Sequence, residues 1–417
     1  MKHDQAKHDG TKRDETKRDQ AKRNETKRDR YRLLISAGEV SGDLQGSLLI
    51  RALHQEASQR GWSLEIMALG GTQMAAAGAT LLENTMPLSA MGFLESLPYV
   101  RATLALQSRL RKYLKTAPPD LSVLIDYPGA NLPLAAYLKR TYPHTPLLYY
   151  IAPQEWVWAF GSGTTKKIVQ HTDHILAIFP QEAAYYRTHG ATVTWVGHPF
   201  LDALPHWPSR TVARQRLGIP PAQQAIALLP ASRQQEMKQI WPILAQAAQL
   251  IQQQSPAVHF WIPVARAEFR PFLETLLQQH QLNATLTDDP KLTLAAADLT
   301  LGKSGTVNLE AALLEVPQIV VYRVQALTGW LYRRLLGFRV PFISPVNLVA
   351  GREVVPELLQ EEATPEAIAA LALDLLQPSK ARSQMLEQYR KLRLDLGEPG
   401  VLQRTAALIL GSLGQFS

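Results

Sequence analysis

Three short segments hold residue types that could do chemistry together. The apolar run Leu121-Ser122-Val123-Leu124-Ile125 delivers Asp126, then Tyr127-Pro128-Gly129-Ala130-Asn131. A carboxylate at a strand end can take the proton of a sugar hydroxyl as that hydroxyl attacks an activated anomeric carbon. An Asp that only caps the following helix has the same sequence. In the second segment, Ala225-Ile226-Ala227-Leu228-Leu229 runs into Pro230-Ala231-Ser232-Arg233. A planar, permanently charged guanidinium there suits a departing diphosphate without a metal, and an exposed Arg at a helix start is the plainer alternative. In the third, an apolar run ending at Leu301 breaks into Gly302-Lys303-Ser304-Gly305-Thr306 and resumes as Val307-Asn308-Leu309-Glu310. A helix starting there offers unpaired N–H groups at the positive end of its dipole to a diphosphate, and Glu310 one turn in can accept from ribose hydroxyls. Ser or Thr as an ordinary helix cap also accounts for the turn.

The elements that must position these residues follow from short apolar runs too brief for helices. Arg32 to Ser36, Ile66 to Leu69, Leu121 to Ile125 and Leu147 to Ile151 alternate with helical stretches, as in a parallel sheet with crossover helices. Ligands of such sheets gather beyond the carboxyl ends of the strands, where Gly38, Asp126 and Pro153 fall. The Pro-rich stretch Pro199 to Pro208 reads as a hinge. A second series follows, with strands at Ala225 to Leu229, Val258 to Ile262, Leu299 to Leu301 and Gln318 to Tyr322. The expected architecture is α/β, with two Rossmann-like domains facing a cleft, residues 31–200 and 201–365. Helices over 366–417 are expected to pack back on the N-terminal half.

Composition narrows the function classes. The net charge is +8, and residues 1–30 carry half of it, eleven Lys or Arg against seven Asp or Glu. Lysine recurs every fifth position from Lys2 to Lys27, a spacing that makes neither a charged stripe nor an apolar face on a helix, so 1–30 reads as a disordered, solvated tail. Nothing else resembles a nucleic-acid motif. No cysteine is present, which excludes disulfides and thiolate chemistry. His171 and His174 have no accompanying metal-ligand pattern, so no metal is expected. No run of about 20 apolar residues spans a bilayer, and the charged N-terminus lacks a signal peptide's apolar core, which points to the cytoplasm. The segment Met91 to Val100, with Phe93, Leu94 and Leu97, is apolar enough to bury acyl chains or touch a membrane surface, or to be a core helix. Trp156, Trp158 and Phe160 beside Lys166 and Lys167 form an interfacial patch or a packed domain edge. The absence of a Gly-x-Ser-x-Gly elbow and of a Walker loop leaves hydrolase and P-loop readings without support.

Read in order, Ser36-Ala37-Gly38-Glu39-Val40-Ser41-Gly42-Asp43, Gly70-Gly71-Thr72-Gln73-Met74, Met91-Gly92 with Glu95, Ile125-Asp126-Tyr127-Pro128 with Asn131, Pro153 with Trp156-Val157-Trp158, and Val196-Gly197-His198-Pro199 resemble the N-terminal half of the lipid-A-disaccharide synthase family. Leu229-Pro230-Ala231-Ser232-Arg233, Ser304-Gly305-Thr306 with Leu309-Glu310, and Asn347 to Arg352 with Pro356 to Gln360 resemble its donor half. The resemblance runs from Tyr31 to the C-terminus, and only the tail is foreign to it. Two departures stand out. The family usually reads Pro-Asp-Phe-Asn where this chain has Pro128-Gly129-Ala130-Asn131, and Pro-Gly-Ser-Arg where it has Pro230-Ala231-Ser232-Arg233.

The resemblance implies a GT-B fold and an inverting transfer that needs neither metal nor cofactor. The sugar of UDP-2,3-diacylglucosamine would pass to the 6-hydroxyl of 2,3-diacylglucosamine 1-phosphate, giving the β-1,6 disaccharide of lipid A and UDP. It implies Asp126 as the catalytic carboxylate and Arg233 as the arginine at the donor diphosphate. Ser232, Ser304, Gly305, Thr306, Glu310, Asn347, Arg352 and Gln360 would surround UDP. Gly38, Ser41, Asp43, Asn131, Trp156 and Trp158, with Met91, Phe93, Leu94 and Leu97, would serve the acceptor and its lipid. A peripheral place on the cytoplasmic face of the inner membrane, and homodimers that exchange C-terminal segments, are implied as well. The competing readings are a glycosyltransferase of this fold with another lipid acceptor, a lipid or nucleotide-sugar binding protein without turnover, and a UDP-sugar epimerase.

Overall fold

The computed structural model describes residues 29–86, 100–158, 163–229, 234–264, 267–323 and 342–414. The chain divides into two compact units, Met1–Leu148 with Ala406–Ser417, and Tyr149–Thr405. It builds two sheets. The first holds β1 (Arg30–Ala37), β2 (Ser63–Gly70), β3 (Thr80–Asn84), β4 (Leu121–Ile125), β5 (Leu147–Tyr150), β6 (His174–Ala177) and β7 (Val193–Trp195), in the order β3-β2-β1-β4-β5-β6-β7. The second holds β8 (Gln224–Leu229), β9 (Val258–Pro263), β10 (Ala284–Thr287), β11 (Leu299–Lys303), β12 (Gln318–Tyr322) and β13 (Glu357–Leu359), in the order β10-β9-β8-β11-β12-β13. Both have the central reversal of strand order that marks a Rossmann-like sheet.

The interior strands are continuous apolar runs because a parallel sheet is covered on both faces. All five residues of β4 are buried, as are four of the five in β11. Register then decides what leaves the sheet together. Parallel pairing sets Ala37 of β1 beside Ile125 of β4, so Gly38 and Asp126 emerge as neighbours. In the second sheet Leu229 of β8 lies beside Gly302 of β11. A Cβ on Gly302 would lie 2.6 Å from the Leu229 Cβ, so this approach requires glycine.

The C-terminal helices divide their packing. Pro365–Leu376 lies against the helix Gln234–Gln254, and Lys380–Asp395 against the helix Val307–Leu313, all within the second unit. The last helix, Val401–Gly411, starts under the Asp202 carboxylate, which accepts the amides of Gly400, Val401 and Leu402. A negative charge at a helix N-terminus satisfies orphan donors and complements the dipole. The helix then carries the chain back to the first unit, where Arg60 donates to the Ala407 carbonyl at 3.2 Å.

Candidate active site

The turn that follows β4 is tightly constrained. Asp126 has φ 47° and Tyr127 φ 36°, two consecutive non-glycine residues in the left-handed region. L-residues there bring Cβ too close to the backbone, at a cost of roughly 1–2 kcal/mol each. Such a turn persists only where its surroundings over-determine it. Asn131 supplies much of that constraint. It is fully buried, and its Nδ2 donates to the carbonyls of Ile125 at 3.0 Å and Asp126 at 2.8 Å. Its Oδ1 accepts the Ser36 hydroxyl at 2.7 Å, tying the turn to β1. The Tyr127 ring closes over Gly38, where any Cβ would lie 2.1 Å from the Tyr127 Cδ1.

Within this turn the Asp126 carboxyl is pushed up to about 6. Burial disfavours its charged form, the nearby Glu39 charge adds to the rise, and a hydrogen bond from the Tyr127 backbone opposes it. A carboxyl with that affinity can take up a proton near neutral pH, as a general base must.

In the second unit, the end of β11 arranges Ser304, Gly305 and Thr306 ahead of the helix Val307–Leu313. Thr306 occupies the cap position with helical backbone angles and makes no side-chain cap hydrogen bond. The hydroxyl of Ser304 donates to the Ile343 carbonyl at 2.6 Å, and the Gly305 amide donates to Asn308 Oδ1 at 2.7 Å. Glu310 sits half-buried one turn into the helix, its carboxyl pushed up to about 7 by burial against an opposing attraction to Lys291.

Several expected contact residues are engaged within the protein. Asn347 is fully buried: its Nδ2 donates to the Val355 carbonyl and Glu357 Oε1, and its Oδ1 accepts the amides of Val354 and Val355. It fixes the loop that leads into β13. Arg352 is exposed and donates to Gln388 Oε1, while Gln360 is half-buried with φ 52°. Asp43 is buried and accepts the amides of Gly71 at 2.8 Å, Gln73 at 3.2 Å and Met74 at 3.1 Å, capping the helix Thr72–Ala76. Ser41 is half-buried in the first turn of the helix Val40–Gln59. Trp156 is half-buried with its ring 5.8 Å from Phe179. Met91, Phe93, Leu94, Leu97, Phe160, Ser232 and Arg233, and the side chain of Trp158, lie outside the described residues. Among the described residues no group of three or more His, Cys, Asp or Glu is arranged to hold a metal ion.

Sequence reasoning assigned no role to Tyr127, Ser36 or Glu39; Tyr127 and Glu39 act on Asp126 directly, and Ser36 acts through Asn131. For Tyr127 a signal was present, since Gly38 and Gly129 both lie against its ring. For the Glu39 charge there was none, because its effect depends on the two strand ends meeting.

Two Rossmann-like parallel sheets are the architecture of GT-B glycosyltransferases. The structure superposes on MurG of Acinetobacter baumannii with a TM-score of 0.56 at 15% identity, over 91% of this chain and 99% of that one. It superposes equally on the UDP-GlcNAc 2-epimerase of Methanocaldococcus jannaschii in complex with UDP-GlcNAc and UDP, with a TM-score of 0.57 at 13% identity, over 92% of this chain and 99% of that one. At such identities the likeness speaks for the fold alone. Sequence separates the possibilities. The lipid-A-disaccharide synthetase family profile matches residues 33–408. The lipid-A-disaccharide synthase of Prochlorococcus marinus (strain MIT 9313) is 52% identical over 385 residues, 91% of this chain and 98% of that protein. The chain therefore belongs to the lipid-A-disaccharide synthase family, and it is a glycosyltransferase of lipid A biosynthesis.

Proposed function

We propose that this chain moves 2,3-diacylglucosamine from its UDP derivative to 2,3-diacylglucosamine 1-phosphate, with Asp126 as general base. The acceptor 6-hydroxyl oxygen attacks the anomeric carbon of the donor from the face opposite UDP. The new C–O bond forms as the bond to the β-phosphate breaks, UDP leaves with the electron pair, and the hydroxyl proton passes to the Asp126 carboxylate. Attack from the opposite face inverts the anomeric centre to the β configuration. The observation that carries this reading is the Asp126 carboxyl itself, held on a strained turn at a strand end and pushed up to about 6.

Arg233 is assigned to the departing diphosphate by its sequence block, because a planar bidentate cation can hold phosphate oxygens as charge develops on them. Ser232, Ser304, Gly305, Thr306 and Glu310 are assigned to UDP, with Arg352 and Gln360 nearby. Asn347 and Asn131 we assign to positioning, since their polar atoms are spent on the protein's own loops. The apolar segment containing Met91, Phe93, Leu94 and Leu97 is assigned to the lipid surface. Among the described residues no helix is long and apolar enough to cross a membrane, so attachment would be peripheral. A homodimer, and domains divided at residues 30, 200 and 365, belong to the same reading.

The test is UDP release by the purified protein with UDP-2,3-diacylglucosamine, with and without 2,3-diacylglucosamine 1-phosphate, beside Asp126→Ala and Arg233→Ala. Release that needs both sugars and collapses in both variants supports the assignment. Release without acceptor, or variants with full activity, would overturn it.

A further inference from the structure

The loop after β6 and the turn after β11 are joined by a short relay of hydrogen bonds within the second unit. At one end stands Gln181, in the first turn of the helix Pro180–Thr188. The next residue fixes its backbone: the buried Glu182 carboxylate accepts the amides of Ala152 at 2.9 Å, Ile178 at 2.9 Å and Phe179 at 3.3 Å. From that anchored position Gln181 Nε2 donates to the Val349 carbonyl at 2.6 Å. Val349 lies in the helix Pro345–Ala350, whose last four carbonyls have no partner within the helix, so a side chain from another element completes this end. The opposite end is tied just as closely. Glu357 accepts the amides of Ile343 at 2.8 Å and Ser344 at 2.9 Å and the Asn347 Nδ2 at 2.7 Å, and the Ile343 carbonyl accepts the Ser304 hydroxyl at 2.6 Å.

Resting on the assignment of UDP to the turn at Ser304, we infer that Gln181 is a positioning residue for the donor: it holds the helix Pro345–Ala350 and, through the Ile343 carbonyl, sets where the Ser304 hydroxyl stands. Six helical residues span about 9 Å and move as one piece, so a shift at Val349 is carried to Ile343. Without the Gln181 donor, the carbonyl of the buried Val349 turns toward another partner and the helix end follows it. The other half of the Gln181 amide separates this role from an ordinary structural one. Its Oε1 is buried and, among the described residues, has no hydrogen-bond partner. A side chain that makes one bond and leaves one buried acceptor unmet adds little net stability, since the second effect offsets the first. What Gln181 contributes is therefore the place of the helix, and with it the shape of the turn that receives UDP.

Titration calorimetry with UDP and steady-state kinetics compare the full chain with Gln181→Met, which keeps the length of the side chain and loses its donor, and with Gln181→Ala. The Kd for UDP and the donor KM are expected to rise about three- to tenfold in both. Both kcat at saturating donor and the acceptor KM should stay within about twofold. The thermal midpoint should fall by only a few degrees, because a hydrogen bond and an unmet acceptor are lost together. In a Ser304→Ala background, Gln181→Met should change the Kd for UDP by less than about 1.5-fold, since the link it acts through is already cut. Unchanged UDP affinity in the folded variants, or a full effect of Gln181→Met in the Ser304→Ala background, would overturn the role of Gln181 while leaving UDP at the Ser304 turn. If Glu310→Ala instead binds UDP as tightly as the unsubstituted chain, the donor assignment itself fails, and the positioning role with it.

Discussion

The ends of β4 and β11 place a carboxylate by opposite means. After β4, Asp126 and Tyr127 stand at φ 47° and 36°, held there by the buried Asn131 and by a glycine that admits the Tyr127 ring. After β11, none of residues 304–310 has positive φ, and Glu310 simply occupies a helical position. Both carboxyls are raised mainly by burial, one to about 6 and the other to about 7. The difference teaches that a raised affinity for protons does not by itself mark a base. The β4 turn fixes the backbone that carries its carboxyl with strain and with the Asn131 amide, as the proposed proton transfer requires, whereas the β11 turn is relaxed, which suffices for the proposed binding role.

The largest expected effect tests that distinction directly. Asp126→Ala should lower kcat by about 10²–10⁴-fold with donor KM little changed, while Glu310→Ala should mainly raise donor KM. Equal effects on kcat would erase the contrast. Stability should move the other way. A folded-state carboxyl raised from 3.8 to about 6 prefers its proton. That contribution is fully present below about pH 4 and is lost as pH rises through 6. Asp126→Asn should therefore raise stability at pH 8, by up to about 3 kcal/mol, and denaturant unfolding at pH 8 and pH 4 would measure it.

Next in size is Asn131→Ala, which leaves two backbone carbonyls and the Ser36 hydroxyl short of a partner. A cost of about 2–3 kcal/mol is expected, with a fall in kcat at unchanged donor KM. If kcat survives while stability drops, the amide is merely structural. The smallest effect concerns Glu39. The acid limb of the rate profile should fall near pH 6 because the base must be ionised, and Glu39→Gln should move that limb to lower pH by removing a like charge. A limb that does not move, or moves upward, would dissociate Glu39 from Asp126.

What sequence could supply is seen in which strands it found. β1, β2, β4, β5, β8, β9, β11 and β12 are apolar runs, and each is legible as such. The four edge strands, β3, β7, β10 and β13, were not read, and neither was the four-residue β6. Edge strands are covered on fewer sides, so their residues are mostly half-buried and the run is broken by polar side chains. The ordered motif blocks carried the family, because they record the residues at strand ends whatever the packing around them.

By itself, then, the sequence determined the two-sheet plan, the strand end that presents Asp126, and the family. Tertiary structure decided what kind of group Asp126 is. The Ser36–Asn131 hydrogen bond joins residues 95 positions apart, and Glu39 meets Asp126 only because β1 and β4 are neighbours in register. Desolvation, left-handed backbone and a like charge at short range arise from long-range packing, and no local pattern of residue types encodes them. Asn131 and Asn347 make the same point from the other side: their motif positions suggested ligand contact, and burial shows their amides bound to the protein's own backbone.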